Sequence, residues 1–196
     1  MLFQPEIKTV MIPAEKYCRE YRDPEQFIEY CKVCPRYNHL WCCPPFDFDT
    51  TEALKPYRYV YIVGMRTTVD PHLREIVTDP VTVGEMTEFI TKDCRRYVDP
   101  VILGLEKAAP GSRSFHAGRC YRCEYCARIF GRPCVHPQEM RSSLESYGFD
   151  VARTTEELLG FKLEWSADRL PEHISFISAL FTKEEISLGP VWKRKN

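Results

Sequence analysis

Four cysteines fall within fifteen residues of this chain, in the stretch GRCYRCEYCARIFGRPCVHP from Gly118 to Pro137. Cys120, Cys123 and Cys126 follow one another at Cys-x2-Cys-x2-Cys spacing, and Cys134 comes after seven more residues. Thiols crowded in this way are bridged in pairs, clasp one ion, or hold a metal cluster, and each outcome constrains the fold differently. A Cys-x2-Cys pair lets one tight turn aim two sulfurs at a common point. Zinc sites join two such turns, well separated in sequence, around one small ion. Here Cys123 would have to serve in both turns. Three thiolates spread along a curving loop suit the corners of a larger object, and Cys134 returns for the fourth corner shortly before Pro137. The spacing favours a [4Fe–4S] cluster. Zinc stays as the alternative, because thiolates alone do not select the metal.

Bridging is the weakest of the three outcomes. The N-terminal MLFQPEIKTVMIPAEKYC has no basic segment followed by an apolar run, and Glu6 and Lys8 interrupt what little there is. No stretch approaches the length of a membrane-spanning helix. A cytoplasmic protein is expected, and in a reducing compartment ten cysteines point to metal or redox chemistry rather than disulfides. The formal net charge of -1 argues against a nucleic-acid partner. The basic tail at Lys193, Arg194 and Lys195 reads as a solvated terminus.

The loop itself is locally basic: Arg119, Arg122, Arg128 and Arg132 stand against Glu124 alone. Cations near a thiolate-held cluster stabilise its negative charge and raise its reduction potential, although a solvated basic loop has the same composition. His116 and His136 flank the cysteines, as outer-shell or surface groups rather than ligands.

A second constellation lies upstream in YCKVCPRYNHLWCCPPF, Tyr30 to Phe46. Cys31-x2-Cys34 is again a chelating turn, and Cys43 sits ahead of Pro44 and Pro45, which stiffen the backbone. Trp41, Tyr37 and Phe46 are placed to exclude water. Adjacent side chains in extended chain diverge, so Cys42 points away if Cys43 points in. The fourth position is open among Cys18, Cys42, His39 and none. The other reading is that this loop only packs beside the downstream site.

The segments CKVCPRYNHLWCCPPFDFD, GRCYRCEYCARIFGRPCVHPQEMRSSLESYGFDV and LLGFKLEWSADRLPEHISFISALF together resemble the predicted metal-binding proteins of the family called domain of unknown function 2284. The resemblance runs from about Cys31 to Phe181. It implies cytoplasmic prokaryotic proteins with a cysteine-bound, iron–sulfur-type site and supplies no reaction. On its motifs Cys31, Cys34 and Cys43 match the upstream cysteines, and Cys120, Cys123, Cys126 and Cys134 the downstream set. Cys42 stands where a small polar residue is typical, and Cys94 belongs to no motif.

The rest of the chain reads as scaffold for one domain over residues 1–196, with cysteine-rich loops at 31–46 and 118–137. Asp23 and Pro24 start a short helix that delivers Cys31 at its end. Tyr57 to Thr67 is rich in β-branched and aromatic residues and is expected to be a strand. From Gly84 a long helix carries Met86, Ile90, Cys94, Tyr97, Val101 and Leu105 along one face, with a kink at Pro100, which makes Cys94 a core thiol. PQEMRSSLESYG reads as a short helix stopped by Gly148, and FKLEWSA and HISFISALFT as two strands joined by a turn around Asp168 to Pro171. The expected class is α+β, an antiparallel or mixed sheet with helices on one face. Gly-rich phosphate loops, dinucleotide fingerprints and the His-Glu-x-x-His helix are all missing from the sequence. Three function classes remain: a redox carrier serving a partner protein, an enzyme whose iron keeps a position open for a small-molecule substrate, and a zinc-stabilised structural or binding module.

Overall fold

A strand buried on both faces needs apolar side chains on both, and YVYIVGMRTT, Tyr59–Thr68, supplies them. In the computed structural model, which describes residues 5–166 and 168–188, this segment is the second strand of a four-stranded antiparallel sheet. In chain order the elements are β1 (Pro5–Pro13), α1 (Ala14–Tyr21), α2 (Pro24–Lys32), α3 (Thr50–Leu54), β2 (Tyr59–Thr68), α4 (Pro71–Ile76), α5 (Pro80–Ala108), β3 (Arg113–Phe115), α6 (Val151–Thr154, continued by a π-turn over Thr155–Leu159) and β4 (His173–Thr182). The strand order is β1-β2-β4-β3, with Val60 opposite Phe181 and Arg113 also opposite Phe181 on β4's other edge.

Successive β2 residues point to opposite faces, which splits the core in two. On one face Val63 and Met65 meet Ile90, Cys94, Val98 and Ile102 of α5 and Phe176 of β4. The α5 stripe drifts from Cys94 to Val98 and Ile102, so it is these residues and not Val101 that reach the core. Asp79 caps α5 through the N–H groups of Val81 and Thr82, and the helix runs unbroken through Pro100. The other face is covered as well: Val60 and Ile62 pack with Tyr17 of α1, Val151 of α6, and the loop residues Leu144, Tyr147 and Phe149. Tyr17 stacks on Phe149 at 4.6 Å between ring centroids, and Phe115 meets Tyr147 edge-on at 4.8 Å. Truncating a buried aromatic of this kind costs about 3–5 kcal/mol, so this cluster is a stiff floor for the loops above it.

Two expected elements take another form. FKLEWSA is not a strand: residues 161–166 are irregular, because both edges of β4 are already paired with β2 and β3. PQEMRSSLESYG is not an α-helix. Its chain is held extended where the Ser142 carbonyl accepts from His116 N–H at 3.0 Å, and only Glu145–Tyr147 form a single 3-10 turn that Gly148 ends. Ala167 and the basic tail lie outside the described residues. No helix among the described residues is long and apolar enough to cross a membrane.

The same loop anchors α2. Asp23 N–H donates to the Gly148 carbonyl and Asp150 N–H to the Tyr21 carbonyl, both at 2.8 Å, while Arg22 Nε donates to the Tyr147 carbonyl at 2.7 Å. The position of Cys31 is thereby tied to the sheet.

Candidate metal centres

Asp23 caps α2 by accepting from Gln26 N–H at 2.9 Å, and Pro24 fits the first turn, where its missing N–H costs nothing. Cys31 lies in the last turn of that helix. Beyond it the backbone runs as successive tight turns, with Cys34 N–H donating to Cys31 C=O and Tyr37 N–H to Cys34 C=O, each at 3.0 Å. Asn38 adopts a left-handed conformation with φ 58°, which asparagine tolerates, and its N–H closes the loop on the Pro44 carbonyl at 2.8 Å.

The downstream loop leaves from β3, turns through Cys120, Cys123 and Cys126, forms one 3-10 turn over Ala127–Phe130, and reverses at Gly131 before Cys134. It docks on the upstream loop through a small set of hydrogen bonds. Trp41 Nε1 donates to the Arg132 carbonyl at 3.0 Å. The Arg128 guanidinium donates to the carbonyls of Leu40 (2.9 Å), Cys43 (2.7 Å) and Pro45 (2.7 Å) and to Asn38 Oδ1 (3.0 Å), and it packs over the Trp41 ring. Cys120 N–H donates to Cys42 Sγ at 3.2 Å. The other arginines are partly spoken for: Arg119 pairs with Glu88 and Arg122 with Glu139.

Seven of the ten cysteines, with Cys42 as an eighth, line two hollows, and Cys120 and Cys123 also reach a third of about 460 Å³. Cys120, Cys123, Cys126 and Cys134 line a tight cavity of about 40 Å³ together with Cys42 and His136. Cys31, Cys34 and Cys43 line an open one of about 490 Å³. Cys42 and Cys43 sit in a turn with their sulfurs 3.8 Å apart, and each lines a different one of the two hollows. Cys18 packs against the apolar cluster under α1, His39 is exposed with Nδ1 on the Tyr37 carbonyl, and Cys94 is buried beneath α5, so none of these three meets either hollow. His116 is buried with Nδ1 3.6 Å from Asp99. Among the described residues no three His, Cys, Asp or Glu side chains converge as the ligands of a single ion would.

The thiol electrostatics follow from crowding and burial. Cys42 is pulled down to about 7, first by the hydrogen bond with Cys43 and further by Cys120 N–H, against the opposing effect of burial; Cys43 is pushed up in return. Burial pushes Cys120 up to about 11 and raises Cys31, whose neighbour Cys34 adds to the shift. Burial, Cys134 and Cys126 together raise Cys123. Several thiolates cannot share such a space without positive charge to balance them.

A family model described as predicted metal-binding protein (DUF2284) matches residues 15–182. The chain belongs to that family. No curated protein and no solved structure matches it. For this DUF2284 chain the donor set suits a thiophilic metal group. Around the tight cavity the sulfurs of Cys120, Cys123, Cys126 and Cys134 outnumber the nitrogen of His136 and the carboxylate of Glu124, and soft thiolates select zinc, copper(I) or iron–sulfur clusters over hard ions. The sequence did not place Cys42 with the downstream set, because its direction depends on how two loops far apart in the chain dock. Nor did it single out Glu145 or Trp165 on the wall of the open cavity, where neither spacing nor motif marks them.

Proposed function

We propose that the chain holds two iron–sulfur centres, a closed one on Cys120, Cys123, Cys126 and Cys134 and an open one on Cys31, Cys34 and Cys43, and that it works as a reductive enzyme. The observation that supports this most is the parting of Cys42 and Cys43 into neighbouring hollows, one tight and one open to about 490 Å³. When bound, such clusters supply one-electron transfer, and a cluster with only three protein thiolates leaves one iron position for a substrate atom.

The chain's own residues divide the remaining work. Arg128 holds the two loops in register through its bonds to Leu40, Cys43 and Pro45. Trp41, Leu40 and Met140 shield the tight cavity from water, and Arg119 and Arg122 lie on its rim as compensating charge. Tyr125, Phe130 and Val135 stand exposed beside the downstream cysteines and offer a face to a redox partner protein that supplies electrons. A zinc-stabilised module would need none of the open cavity. Anaerobic purification with iron, sulfide and zinc analysis and electron paramagnetic resonance tests the reading: brown protein with near-equal iron and sulfide supports it, and stoichiometric zinc without sulfide overturns it.

A further inference from the structure

Lys92, Arg95, Arg96 and Asp99 recur at three- and four-residue intervals and so share one face of α5. That face is one wall of the third hollow, of about 460 Å³, which Arg119 and Arg122 of the cysteine loop and Arg141 beyond it also line. Six cations thus meet three carboxylates, Asp99, Glu124 and Glu139, an excess of three positive charges on the wall. Glu88 pairs with Lys92 and Arg119, and Glu106 with Arg141, but neither of these carboxylates lines the hollow. With both counted, one positive charge is still left over. Arg96 is exposed and has no partner among the described residues. Balancing the thiolates of the tight cavity accounts for Arg119 and Arg122, which line both spaces, but Lys92, Arg96 and Arg141 do not line the tight one. Part of the wall is held in place: Arg95 is fixed to Asp99 by bonds of 3.1 and 2.7 Å, and Arg95 and Arg119 pack over the Tyr121 ring. A concave wall of one sign focuses its field on the enclosed space, and the volume is that of a small-molecule site.

Five of the six cations are arginines, whose planar forks match the oxygens of phosphates and carboxylates. They come from three separate segments, which suits a phosphate with three terminal oxygens better than a flat carboxylate. We propose that this hollow binds a small phosphorylated molecule, recognised through the arginines of α5 and of the cysteine loop. The inference does not depend on which metal the cysteines hold.

The test uses anaerobically purified protein with its own metal content, titrated by calorimetry with phenyl phosphate and with phthalate, a dicarboxylate on the same ring that is also dianionic at about pH 8. Iron and sulfide measured on the same samples report separately on the proposed function. Wild type is expected to bind phenyl phosphate about fivefold or more tightly than phthalate, and less tightly as salt rises from about 50 to about 200 mM. Arg96→Gln, which removes a cation that has no partner of its own, should weaken phenyl phosphate about tenfold, the scale of one charged hydrogen bond. Arg132→Gln removes an exposed cation of the same cysteine loop that does not line the hollow, and should leave the affinity unchanged. No binding of phenyl phosphate to wild type, equal or tighter binding of phthalate, an unchanged affinity in Arg96→Gln, or the same loss in both variants overturns the proposal. The wild-type comparison of the two probes decides the matter even if Arg96→Gln fails to fold.

Discussion

Arg128 Nη1 donates to the carbonyl of Cys43 at 2.7 Å, so a residue of the downstream cysteine loop grips the backbone of the upstream one. The same guanidinium also reaches Leu40, Pro45 and Asn38, and among the described residues no other side chain spans the two loops with as many bonds. Hydrogen bonds from a charged donor are worth about 1.5–3 kcal/mol each and do not simply add, so Arg128→Ala should cost roughly 2–4 kcal/mol. Arg128→Lys should recover less than half, since an ammonium cannot reproduce the planar fork. Urea unfolding of the three proteins checks this, and equal stability of the Lys variant and wild type would refute the fork.

Gly148 carries the second prediction. Its φ is +88°, and an added Cβ would stand 2.5 Å from Pro24 Cα, where α2 begins. Backbone cannot move aside as a flexible side chain can. Gly148→Ala combines that clash with left-handed strain and should cost about 2 kcal/mol or more, a fall of roughly 4–8 °C in Tm for a domain of this size. Because Cys31 lies in the last turn of α2, the labelling rate of that thiol should rise in the variant, and an unaltered rate with a lowered Tm would show that the anchor does not position the cysteine.

Glu106 predicts a pH dependence. Burial raises its carboxyl, but hydrogen bonds from Arg141 and from Ser114 N–H outweigh that and hold it below its ordinary 4.5. A depressed carboxylate contributes stability that is fully present above the unfolded value and is lost as pH falls through the folded one. Glu106→Gln should therefore be about 1–3 kcal/mol less stable than wild type at pH 7, with the gap narrowing below about pH 4.5. Unfolding curves at pH 7, 5 and 3.5 measure it, and a gap that stays constant with pH contradicts the assignment. Arg141 follows the cysteine loop closely, so this pair also ties the loop's exit to α5.

Much of the scaffold could be read from residue order, because the signals there are local. Asp23 followed by Pro24 marks the start of α2, and the run of β-branched and aromatic residues after Tyr57 marks β2. The α+β class follows from such elements; of the antiparallel or mixed sheet expected the structure has the antiparallel one, and α1 and α6 cover the face opposite α5, where helices on one face were expected. What stayed hidden is tertiary. The edge strand β1 has Pro5, Glu6 and Lys8 among its residues and gains strand form only by pairing with β2. FKLEWSA has strand-like residues, yet it meets no free edge, and Trp165 is left 76% exposed. For the site, spacing groups the cysteines within each loop, but the divergence expected of Cys42 and Cys43 in extended chain does not apply, because the two stand in a turn with their sulfurs 3.8 Å apart. Which hollow each would enter depends on the docking made by Arg128 and Trp41, which no local pattern encodes.

Two separate thiol sets holding two iron–sulfur centres, as proposed, would show in iron and sulfide counts on cysteine variants. Wild type, Cys31→Ser and Cys126→Ser are purified anaerobically and analysed for iron, sulfide and zinc, with electron paramagnetic resonance after reduction. Two [4Fe–4S] centres give about eight iron and eight sulfide per chain. Each variant should lose about half, and the two should lose different resonance signals, because Cys31 and Cys126 line different hollows. Full iron in Cys31→Ser, or zinc without sulfide in wild type, would contradict the account.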